Sequence, residues 1–111
     1  RDPWFNPDEL SVMAKYYCKE VEFEHPLVSP VFADVAGLPP IYIPVGEDEI
    51  LLSDSTRIAE KIERAGGDVK LEIWPEMWHV FQVFVHQMPE SGAAIRKIAP
   101  FVRQKLGLSE A

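Results

Sequence analysis

A lone histidine and a run of three acids are the residues whose chemistry is most specific in this sequence. His79 lies in Trp74-Pro75-Glu76-Met77-Trp78-His79-Val80-Phe81, and Glu47-Asp48-Glu49 follow Val45-Gly46 one helix and one strand earlier. A carboxylate that accepts one ring N–H of a histidine fixes its tautomer and stabilises the imidazolium formed when the other nitrogen takes a proton. Such a pair activates a nucleophile. The expectation is that Asp48 holds His79, with Glu47 or Glu49 as the alternatives within the same acidic turn, and that Ile50 and Val80, which flank the pair, serve as pocket walls. The plainer reading is a solvated acidic turn beside an aromatic-flanked packing histidine. Spacing alone favours that plainer reading.

Other chemistry is sparse. No G-x-S-x-G phrase surrounds Ser11, Ser29, Ser53, Ser55, Ser91 or Ser109, and no His-Gly-Gly phrase occurs. Cys18 is the single cysteine, and neither C-x-x-C nor H-E-x-x-H spacing exists, so no metal and no cofactor is expected. His25 and His86 have no ligand-spaced partners and read as surface or capping residues. Trp4, Trp74, Trp78, Phe81 and Phe84 either line a pocket or fill the core, the core being the commoner use of aromatics near a sheet edge.

The 111 residues carry 18 acids against 11 Lys and Arg, a net charge of −7 that repels polyphosphate, so nucleic acid is excluded as a partner. With 47% hydrophobic and 26% charged residues the chain has a globular rather than a disordered composition. Its apolar runs fall far short of the ~20 residues a membrane helix needs. No signal peptide is visible, and the single cysteine fits the cytoplasm. The opening Arg1-Asp2-Pro3-Trp4, without Met, reads like a cut piece.

Five elements must position the pair. Asn6-Pro7-Asp8-Glu9 supplies an N-cap, a first-turn proline and first-turn acids, so a helix is predicted over 7–18 with Leu10, Met13, Ala14 and Tyr17 as its core face. Four prolines, at 26, 30, 39 and 40, make the following stretch irregular. Ile41 to Val45 reads as a buried parallel strand, with Pro44 falling where its missing N–H has no partner. Ser53 or Asp54 caps a helix to about Ala65, where Gly66 and Gly67 stop it. Val69 to Ile73 alternates apolar and charged residues, a strand with one more exposed face. A last helix over 91–106 turns Ile95, Ile98, Val102 and Leu106 inward, kinked or split at Pro100.

Strand, helix, strand makes one βαβ unit of an α/β fold. Two parallel strands cannot make a stable sheet of that kind alone, so neighbouring strands and a covering helix are expected outside this sequence. A missing half of the domain or another chain would pair with the open sheet edge.

The phrases Leu38-Pro39-Pro40, Val45 to Ser55 and Trp74 to Phe81 resemble the hormone-sensitive lipase-like family of α/β-hydrolases, and His25-Pro26-Leu27-Val28-Ser29-Pro30 is similar to that family's D-P-L-x-S-P phrase, with His25 in place of Asp. The resemblance implies that 1–111 is the C-terminal segment of one α/β-hydrolase domain, with residues 1–25 as cap-like helix and loop and 26–111 as acid strand, helix, histidine strand and closing helix. It also implies a Ser–His–Asp carboxylesterase or lipase acting on small to medium acyl esters, with Asp48 as triad acid, His79 as base and the serine elsewhere, so this segment alone is expected to be inactive. Glu76 stands where many relatives carry Gly. The competing reading is a non-catalytic truncated module that binds another chain through its sheet edge.

Overall fold

The computed structural model describes residues 2–109. Helix α1 spans Pro7–Cys18; Asn6 caps it by accepting the Glu9 N–H at 2.9 Å. Its expected core face is not core. Met13 is exposed, Tyr17 is 75% exposed, Leu10 and Ala14 are half-buried, and Cys18 is the one buried residue of the helix. The periodicity is real, but no sheet or helix of the described residues lies across from it.

After α1 the chain runs irregularly to Pro40, interrupted by a short 3-10 turn at Pro30–Phe32, as the prolines require. His25 closes its own turn by accepting the Leu27 N–H at 3.2 Å. The Lys61 ammonium donates to the carbonyls of Val31 and Ala33, which ties this stretch to the second helix.

Strand β1, Ile41–Gly46, pairs in parallel with β2, Val69–Trp74, in the register Ile41↔Val69 through Gly46↔Trp74. The Ile41 N–H donates to Asp68 O and the Glu47 N–H to Trp74 O, both at 2.9 Å, so odd-numbered positions of β1 donate toward β2. Pro44 is even. Its missing N–H therefore falls on the other edge of β1, where no strand of the described residues pairs.

Helix α2, Leu52–Arg64, covers one face of this pair and buries Ala59 and Ile62; Gly66, at φ 78°, gives the predicted left-handed stop. Neither Ser53 nor Asp54 caps it. The helix starts at Leu52 with Leu51 in the N-cap position and no side-chain bond, because the preceding turn feeds directly into it.

Helix α3, Pro89–Lys105, covers the other face and runs unbroken through Pro100. The carbonyl that Pro100 leaves without an N–H donor belongs to Arg96, an exposed residue. The inward face also differs from the expected one. Ser91 and Ala94 are fully buried and Ile98 and Phe101 half-buried, a stripe at i, i+3, i+7 and i+10, whereas Ile95, Val102 and Leu106 are exposed. Small residues at 91, 92 and 94 let the helix sit close to the turn below it, and the Ser91 hydroxyl donates to Phe81 O at 2.6 Å. That contact fixes the helix's rotation.

On the α3 face, β2 is less exposed than its alternation predicts. Tyr42 packs on Phe101 with centroids 5.2 Å apart, and the Glu72 carboxylate accepts from the Tyr42 hydroxyl and the Lys97 ammonium. Burial, reinforced by the Glu72 carboxylate, pushes the Tyr42 phenol up to about 12. For Glu72, burial pushes the carboxyl up, but the bonds from Lys97 and Tyr42 outweigh it and hold the group below the usual carboxylate range. No helix of the described residues is long and apolar enough to cross a membrane.

Candidate active site

Both strands end at one edge, and two loops meet there. The first, from Gly46 to Leu51, carries the acids; the second, from Pro75 to Val80, carries His79. Gly46 is the closest point between them. A Cβ on Gly46 would lie 2.2 Å from the Met77 carbonyl oxygen, so only glycine admits the histidine loop at this height. Backbone bonds then stitch the loops together: the Glu47 N–H donates to Trp74 O at 2.9 Å and the Asp48 N–H to Met77 O at 3.0 Å.

The acid that reaches His79 is Glu49. Its Oε1 lies 3.4 Å from His79 Nδ1, at the long end of hydrogen-bond reach, and its Oε2 accepts the Gly46 N–H at 3.0 Å. Asp48, the expected acid, makes no side-chain hydrogen bond to His79 among the described residues. The cause is local. Asp48 spends its amide on Met77 O, and the turn then brings residue 49, with one more methylene of reach, back over the end of β1. Glu49's side chain is 8% exposed and that of His79 23%, so the pair is drawn largely out of water while a flank of the imidazole stays open. With Glu49 accepting from Nδ1–H, Nε2 is left as a proton acceptor.

Further contacts frame the pair. The Glu47 carboxylate accepts the Glu76 N–H at 3.1 Å. The Phe5 ring stands edge-on to His79 with centroids 5.3 Å apart, and Asp2 accepts the Ile50 N–H at 3.1 Å, so the segment before α1 lies against both loops. Ile50 lines a cleft of about 130 Å³ with Phe5, Pro7 and Glu49, beside the pair. Val80, the other expected wall, is exposed and left-handed at φ 51°. Phe81, with Met77 and Ala94, forms the buried core beneath the histidine loop, and Trp74 and Trp78 pack against it. Trp4 is exposed and shares with Phe5, Val12 and Met13 a groove of about 490 Å³ along α1. Asp2 and Phe5 were not expected at the site. Nothing in spacing links positions 2 and 5 to residue 79, whereas Glu47 stood in the acidic turn as an alternative.

Residues 1–83 match the family model described as alpha/beta hydrolase fold. An acetyl-hydrolase of Streptomyces hygroscopicus is 37% identical over 99 residues, which span 89% of this chain and 33% of that protein. An esterase of Acinetobacter venetianus is 42% identical over 86 residues, 78% of this chain and 28% of that protein. Among solved structures, a hormone-sensitive lipase from a metagenome library superposes with a TM-score of 0.89 at 40% identity, over 94% of this chain and 36% of that one. An esterase from the bacterial hormone-sensitive lipase family gives 0.90 at 38% identity, over 94% and 35%. The chain thus spans about a third of the length of the relatives it matches.

Proposed function

The chain belongs to the α/β-hydrolase fold family, in its hormone-sensitive lipase-like branch, and from that premise we propose that it carries the acid and base of a carboxylic-ester hydrolase whose serine lies on another segment. The observation that carries this reading is Glu49 Oε1 at 3.4 Å from His79 Nδ1, at the carboxyl edge of two parallel strands, where open α/β sheets place their sites.

In the proposed mechanism Glu49 holds the Nδ1–H, and His79 Nε2 takes the proton of the serine hydroxyl as the oxygen attacks the ester carbonyl. His79 then gives that proton to the leaving alkoxide, and repeats the exchange with water to release the acid. The Glu49 carboxylate steadies the imidazolium. The described residues 26–109 form the acid strand, helix, histidine strand and closing helix, and the stretch up to residue 25 acts as a cap-like segment. The contact of Phe5 with His79 supports that division. The open edge of β1 pairs with the rest of the domain, and the substrate is a small to medium acyl ester.

The test is kcat for a short-chain nitrophenyl ester in the full-length protein. Glu49→Gln, which leaves the shape but frees the imidazole to choose the wrong tautomer, should cost on the order of 10³ to 10⁴, as the matching change does in a serine protease triad. Asp48→Asn should cost far less. Equal losses for the two, or His79→Ala turning over like wild type, would remove the pair from the mechanism.

A further inference from the structure

We propose that Glu47 is a positioning residue for His79, acting through the backbone of Glu76; this rests on the reading of Glu49 and His79 as acid and base. Glu76 precedes His79 by three residues and holds φ at 59°, a left-handed conformation that a residue bearing a side chain resists. Its N–H points at the Glu47 carboxylate, 3.1 Å from Oε2. Both residues are exposed, so water could serve either group, and burial does not force the bond. What the bond does is hold the turn. A charge-assisted acceptor on the Glu76 amide favours the left-handed backbone at a place where the sequence lacks the glycine that would adopt it freely.

The other two stitches between the loops, Glu47 N–H to Trp74 O and Asp48 N–H to Met77 O, are backbone bonds that almost any residue can make. The Glu47 carboxylate is different, because a single substitution removes it. Together the three bonds grip residues 74, 76 and 77, and His79 follows directly with its Nδ1 on Glu49. Releasing residue 76 lets it relax toward negative φ, which swings the next residues and takes the imidazole off its acid. Glu47 therefore touches neither substrate nor histidine; it sets where the histidine stands.

The substitutions that test this are Glu47→Ala, Glu47→Gln, Glu76→Gly and the double change Glu47→Ala with Glu76→Gly, in the full-length protein. Two readouts serve: kcat and KM for a short-chain nitrophenyl ester, and the downfield proton resonance of the His79 Nδ1–H held by Glu49. Glu47→Ala should lower kcat by about tenfold to a hundredfold with KM little changed, as a misplacement of about 1 Å does, and should broaden or abolish the resonance. Glu47→Gln keeps an oxygen acceptor and should stay within about threefold of wild type. The double variant should recover most of the loss, since glycine holds the left-handed turn unaided. Wild-type kcat and resonance in Glu47→Ala, while Glu49→Gln and His79→Ala are inactive, would overturn the proposal. So would a loss shared equally by Glu47→Gln, or one that Glu76→Gly does not relieve. If instead Glu49→Gln and His79→Ala hydrolyse normally, the reading of the pair fails, and the resonance alone still decides whether Glu47 positions the ring.

Discussion

Replacing Gly46 by Ala is the smallest change that should pull the two loops apart. The added carbon would sit 2.2 Å from the Met77 oxygen, 2.6 Å from the Met77 carbonyl carbon and 3.0 Å from the Trp78 oxygen. These are backbone atoms, which cannot swing aside as a side-chain tip does. Ordinary contact needs roughly 3.5 Å, so the strand end or the histidine loop must move by about 1 Å. The struck oxygen is the one that accepts the Asp48 N–H, so the clash lengthens the same bond that holds the loops in register. Overpacking of this kind costs about 1–3 kcal/mol, and a strained or lost hydrogen bond adds roughly 1 kcal/mol, so a loss of about 2–4 kcal/mol is expected. A loop shifted by about 1 Å two residues before His79 should also lower kcat by roughly a hundredfold. The measurements are the urea midpoint and kcat of the full-length protein. Gly37→Ala is the control: at φ 73° with open space around its Cβ position, it should cost only about 1 kcal/mol of backbone strain and leave kcat unchanged. A Gly46→Ala protein with a wild-type midpoint and turnover would refute the steric reasoning.

The cluster on the α3 face should make stability pH-dependent at both ends. Because the folded-state carboxyl of Glu72 sits below its unfolded value, its contribution is complete above the ordinary carboxylate range near ~4.3 and fades as pH falls through the folded value, so Glu72→Gln should flatten the acid limb of the urea midpoint. Tyr42 runs the other way: its phenol is raised to about 12, so its contribution is full below the unfolded value near ~10 and lost as pH climbs through about 12, and Tyr42→Phe should flatten the alkaline limb. Ser91→Ala leaves the Phe81 carbonyl without its buried donor and should cost about 1–2 kcal/mol by chemical denaturation, with a wild-type value showing that the hydroxyl is not needed there.

The sequence was most legible where local chemistry decides. The Asn6 cap, the Gly66 stop and both strands stand where capping and periodicity put them, because those signals act within a turn or two. The partial α/β fold and its family were legible because two long phrases carried them. The outer stripes of α1 and α3 misled for a common reason. Periodicity reports that a face is apolar, and it cannot report whether the covering surface belongs to the same stretch of chain. Tyr17 and Leu106 are apolar in pattern and exposed in fact. Within the acidic turn, three consecutive carboxylates offered almost the same reach, and the choice fell to a backbone bond at Asp48 that no pattern of residue types encodes.

The same contrast separates what this stretch holds by itself from what it leaves open. The bonds that set Glu49 against His79 are internal to it: Gly46 to Glu49, Glu47 to Trp74, Asp48 to Met77 and Glu76 to Glu47, over a core of Met77, Phe81 and Ala94. The apolar faces of α1 and α3 and the far edge of β1 are not satisfied in this way. Pro44 marks that edge as a strand side with no donor at 44, and the Gly46 donor two residues on is bonded to Glu49, so a neighbouring strand can pair along β1 with its gaps confined to the end near the site. A gap there costs little because β1 ends two residues on and its last amide, that of Gly46, is already taken by Glu49. The Glu49–His79 contact is thus built by short-range bonds at one sheet corner, and under the proposed function the serine would reach it across the open side of β1.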